Sequence, residues 1–110
     1  MVGRNNIYAG HIVWIQNKIL VGLESMAEAW TVDPGLAACE TDERCIDYTG
    51  EFAHVGYSLN IPDKHQTYWL RFGVVNSMED DKIRGPINND GDKCWHFHGP
   101  TVDDWDVMEC

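Results

Sequence analysis

Apolar and polar positions alternate with a period of two over residues 8–24, 52–61, 66–75 and 93–98. This is the spacing of strands whose successive side chains point to opposite faces of a sheet. Residues 8–24 also satisfy a helical spacing, with Ile12, Ile15, Ile19, Leu23 and Met26 on one side. A helix there would hold Gly22 and several β-branched residues in its interior, which disfavours it. A hairpin turning at Asn17-Lys18 fits better. It opposes Trp14 to Val21 and Ile12 to Leu23 on an apolar face and ends the other face in a His11–Glu24 pair. Residues 52–61 and 66–75 flank Pro62-Asp63-Lys64-His65 and predict a central hairpin. Its apolar face would oppose Leu59 to Tyr68, Tyr57 to Leu70, Val55 to Phe72 and Ala53 to Val74. A last strand over 93–98 follows the polar turn Asn88-Asn89-Asp90-Gly91-Asp92.

Between these strands the chain carries helix-start signals. Ser25-Met26-Ala27-Glu28, Ser77-Met78-Glu79-Asp80 and Thr101-Val102-Asp103-Asp104 all have the capping-box pattern, in which a hydroxyl and an acid three residues on satisfy each other's free amides. Asp33-Pro34 offers a further start, for a short helix over 35–44. Together these signals predict an α+β fold. It is a single domain over 1–110, with an antiparallel sheet of about five strands, two hairpins plus one strand, and short helices packed on one face.

Composition narrows the function. One domain fills 110 residues, and 8 Lys+Arg against 18 Asp+Glu gives 8 − 18 = −10 with 44% apolar residues. Such a surface repels the phosphates of nucleic acid and anionic membranes alike. No apolar run is long enough to span a bilayer, and residues 1–6 lack the apolar stretch of a signal peptide, so the expected location is the cytoplasm. Four cysteines are then expected as reduced thiols, with a Cys39–Cys45 bridge only where the compartment is oxidising.

Cys94-Trp95-His96-Phe97-His98 is the most distinctive local pattern. On a strand it sends His96 and His98 to one face, where two imidazoles could hold one transition-metal ion with His54, Asp103 or Asp104 as a third ligand. The competing reading is a strand with an aromatic core face and a polar wet face, and it requires no cofactor. The 88–92 turn fails as a calcium loop, because its first and twelfth ligand positions would be Pro86 and Phe97. No nucleophile elbow, phosphate loop or dinucleotide fingerprint occurs, so an enzyme is not expected.

Residues 79–110 hold nine acids against Lys82, Arg84 and Lys93, which is −6 of the −10. The expected activity is therefore binding, by occluding a basic surface on a partner protein such as a nuclease or another nucleic-acid-binding protein. Asp103, Asp104, Trp105 and Asp106 form the predicted contact group, and Glu79, Asp80 and Asp81 a second patch. Immunity proteins and phage-encoded anti-CRISPR proteins use this physics, a likeness of composition alone. Transition-metal or small-ligand binding on the His96/His98 strand is the alternative, and the many aromatics leave room for a homodimer or other structural oligomer.

Overall fold

The computed structural model describes residues 9–110. The expectations for residues 1–6, and for Tyr8 as the start of the first strand, lie outside the described residues. Eight strands carry the fold: β1 (Gly10–Ile19), β2 (Glu24–Trp30), β3 (Cys45–Phe52), β4 (Tyr57–Pro62), β5 (Thr67–Val74), β6 (Lys82–Asn88), β7 (Lys93–Thr101) and β8 (Asp104–Glu109). They form two four-stranded sheets, ordered β4-β1-β7-β8 and β3-β2-β5-β6. The α+β expectation is overturned. Among the described residues there is no α-helix, only a three-residue 3-10 turn at Cys39–Thr41. The architecture is a β-sandwich, antiparallel throughout except for the parallel pair β1–β7. No helix among the described residues is long and apolar enough to cross a membrane.

The first expected hairpin fails at its turn. β1 runs straight through Asn17-Lys18 with a clean alternation, Val13, Ile15, Asn17 and Ile19 buried and Trp14, Gln16 and Lys18 exposed. Asn17 lies inside because its amide is fully employed: Nδ2 donates to the carbonyls of Glu51 (2.9 Å) and Phe52 (2.8 Å), and Oδ1 accepts from the Ser25 hydroxyl (3.0 Å). The reversal falls instead at 20–23, where Gly22 takes a φ of +95° that a side chain would resist. β2 then crosses to the other sheet, so His11 bonds Asn89 (2.8 Å) rather than pairing with Glu24.

The central pair of strands exists, but its members do not pair with each other. β4 lies beside β1, β5 lies between β2 and β6, and the 63–66 link passes from one sheet to the other. The apolar positions Leu59, Ile61, Tyr68, Leu70, Phe72 and Val74 all reach the core, facing across the sandwich where neighbours on one sheet were expected. Over 57–61 and 67–74 pattern alone cannot separate the two pairings, because both bury the same residues there. The expected strand over 52–61 is cut short, since Phe52 ends β3 and Val55, expected opposite Phe72, is exposed in the 53–56 turn.

Each predicted helix is a strand or a loop. Residues 25–30 form β2, since Ala27 and Ala29 fill the narrow gap against the opposite sheet and hydrogen bonds to β3 and β5 outweigh the helix preference of Ala and Glu. Residues 31–44 fold as a loop across the outer face of the second sheet, closed by a Cys39–Cys45 disulfide. The Ser77 signal leads into a turn and the edge strand β6. The Thr101 signal leads into the β7–β8 hairpin, where Trp105 and Val107 alternate inward with Asp104 and Asp106 outward. The expected 93–98 strand is present and extends to Thr101. A second disulfide joins Cys94 to Cys110, so all four cysteines are bridged and the expectation of reduced thiols does not hold.

Candidate functional site: an acidic end of the sandwich

Four connections, 20–23, 53–56, 75–81 and 102–103, gather at one end of the sandwich. Backbone bonds tie the first three together, Ala53 N to Leu23 O at 2.8 Å and Val75 N to Glu24 O at 2.9 Å. The fourth is held by a side chain: the Asp103 carboxylate accepts the Met78 N–H at 2.6 Å. That contact brings together the two acidic groups read separately from the sequence, Glu79-Asp80-Asp81 and Asp103-Asp104.

Trp105 underpins this edge from within. It is only 3% exposed, and its indole N–H donates to the Ser77 hydroxyl (2.9 Å), which also accepts the Glu79 N–H (3.0 Å). Lys82 stands 4.8 Å over the Trp105 ring and reaches Glu79 at 2.8 Å. Trp105 therefore shapes the edge while Met78, 87% exposed, supplies its apolar contact surface. Val21, Phe52, Val55 and Val75 are exposed on the same end.

The acids differ in what they already hold. Asp106 is occupied by Arg84 (3.2 Å), and Asp81 lies 3.8 Å from Arg71, close enough to Gly73 that a Cβ there would meet it at 2.7 Å. Asp80 and Asp104 make no ion pair with a described residue. Glu79, Asp80 and Asp81 also line one wall of an open cleft of about 710 Å³, whose other wall is the 35–40 segment. Beyond that wall, the hydrogen bond from the Arg44 guanidinium pulls the Asp42 carboxyl down to about 2.

The floor of the cleft holds Arg71, which the sequence does not single out, and Glu28, which it places in a capping box. Arg71 bonds Glu28 (Nε to Oε1, 2.7 Å) and the carbonyls of Gly35 (2.9 Å) and Ala37 (2.5 Å), while Trp30 Nε1 donates to the same Glu28 oxygen at 3.0 Å. Arg71 and Glu28 lie 43 residues apart in the chain. The one signal available was a lone Arg inside an otherwise apolar strand.

His96 and His98 project from the outer face of β7, their ring centroids 5.4 Å apart. Among the described residues they are not joined by a third His, Cys, Asp or Glu in a metal-holding group. His54 lies in the 53–56 connection, and Asp103 belongs to the acidic edge. Comparison of the chain with protein-family models, with curated proteins and with solved structures finds no match.

Proposed function

We propose that the protein is an acidic binding module that covers a basic surface on a partner protein, using the end of the sandwich built from 75–81 and 102–104. The observation that carries this reading is the Asp103–Met78 contact, which fuses Glu79, Asp80, Asp103 and Asp104 into one edge around an exposed methionine. Clustered carboxylates speed encounter with a cationic surface, and a flexible thioether adapts to the apolar part of it. The two disulfides support action in an oxidising compartment rather than the cytoplasm.

The test uses Asp80→Lys together with Asp104→Lys, because neither carboxylate serves an internal ion pair and the fold should survive their reversal. Immobilised wild-type protein should retain a basic partner at low salt and release it as salt rises, and the doubly reversed protein should not retain it. A partner held equally by both proteins at high salt would overturn the reading.

A further inference from the structure

The outer face of the first sheet carries a second constellation, remote in character from the acidic edge. His96 and His98 lie two residues apart on β7 and point the same way. β1 sets Gln16 and Lys18 beside them, and β8 sets Met108 opposite His96 and Asp106 opposite His98. Their ring centroids are 5.4 Å apart with the ring planes 34° apart, near enough for both imidazoles to share one ion at metal–nitrogen distances of about 2.0 Å once the rings turn toward it.

His98 supplies an independent sign. Its Nε2 is buried and finds no hydrogen-bond partner among the described residues. A buried ring nitrogen left unpaired costs free energy, and an ion or a water is the usual account of such an atom.

We infer that His96 and His98 are the protein ligands of one transition-metal cation, with the Met108 thioether as the neighbouring soft donor. Asp106 is engaged by Arg84 at 3.2 Å, and Cys94 is committed to its disulfide with Cys110, so neither is free to join. Lys18 and Asp106 flank His98 with opposite charge, leaving the site without the excess of carboxylates that calcium or magnesium needs. Imidazole and thioether donors select copper first among the divalent ions, with zinc below it.

The full chain, with its disulfides intact, is titrated with CuCl2 and separately with ZnCl2 in a non-coordinating buffer, followed by calorimetry and, for copper, electron paramagnetic resonance. One Cu2+ should bind per chain more tightly than Zn2+, with two imidazole nitrogens resolved in the copper spectrum. His96→Ala and His98→Ala should each cost at least the roughly 10–100-fold that loss of a mere supporting partner costs at metal sites. His54→Ala and His65→Ala should leave the affinity unchanged, and Met108→Leu should weaken copper binding more than zinc binding. Saturable binding that survives the double substitution of His96 and His98, a spectrum without two imidazole nitrogens, or no saturation at millimolar metal would each overturn the assignment.

Discussion

Arg71 on β5 and Glu28 on β2 form an ion pair beneath the 31–44 loop, with Trp30 stacked 5.2 Å from the guanidinium and side-chain exposures of only 9% and 3%. Every polar direction of the arginine that the loop can reach is used, so the pair fastens the loop to the sheet. Removing Arg71 strands Glu28 in a nearly dry setting, at a cost of about 3–5 kcal/mol, whereas removing Glu28 leaves Arg71 with Asp81 at 3.8 Å and costs less. Glu28→Ala and Arg71→Ala should each lower the urea midpoint accordingly. Glu28→Leu with Arg71→Met should cost far less than the sum of the single changes, and additive losses would show that the pair does not act as a unit.

Asn17 is the other interior polar device. It joins β1 to the carbonyls that end β3 and to Ser25, whose hydroxyl also meets the Tyr57 hydroxyl at 2.7 Å. Asn17→Leu leaves two carbonyls and a hydroxyl without that partner, each worth about 1–3 kcal/mol when buried and unmade. Equilibrium denaturation should register a loss well above that of Gln16→Leu, one position away on the exposed face.

These two residues show where the chain was readable and where it was not. The period-two runs located β4, β5 and β7 and their inward residues, because burial of alternate positions is a local signal. Pairing was not readable: Asn17 looks like a turn residue until its three distant partners are known, and Ser25 and Glu28 mimic a cap while serving Asn17, Tyr57 and Arg71. The helix signal at Ser25 failed because of where its strand sits in the sheet. A central strand such as β2 gains hydrogen bonds on both sides and a buried face, which outweighs propensities of a few tenths of a kcal/mol per residue. The acidic residues of the candidate site were all legible as residues, whereas their union through Met78 and the inward turn of Trp105 depend on the β7–β8 hairpin.

The two disulfides should contribute unequally. Cys94–Cys110 closes a span of 16 residues and Cys39–Cys45 a span of 6. Chain-entropy arguments then assign about 3 kcal/mol to the longer and about 2 to the shorter. Paired Cys→Ser variants measured by denaturation at neutral pH should follow that order. An equal or reversed order would show that the 31–44 loop depends on its bridge for more than closure.

Alkaline pH should unfold the protein through its tyrosines. Burial pushes the Tyr68 phenol up to about 12, helped by the nearby Asp90 and Glu109 charges. Burial raises Tyr57 still further, against the hydrogen bond from Ser25 and with the charge of Glu51. Unfolded tyrosine ionises near pH 10, so the stabilising preference for the neutral phenol is complete below about pH 10 and is lost as pH climbs through the folded values. The urea midpoint should therefore fall above about pH 10, and Tyr68→Phe should flatten that fall. A fall of the same steepness in the variant would exclude Tyr68 as its source.

The mouth between β6 and β8 is guarded by charge. Both are edge strands, one from each sheet, and Arg84 reaches across to Asp106 at 3.2 Å and to the Val107 carbonyl at 3.5 Å, while Lys82 lies over Trp105. Inward-pointing charges on an edge strand make a second strand unwelcome there, since pairing would bury them. Lys82→Thr with Arg84→Thr removes this protection at little cost in stability, because partly exposed ion pairs are worth only about 0–1 kcal/mol. Light scattering should then show association rising with concentration beyond that of the wild type, while Lys18→Thr on the open face should not. If the double variant scatters like the wild type at every concentration, the charges at this mouth serve the acidic edge through Glu79 and Asp106 and do not serve to keep strands apart.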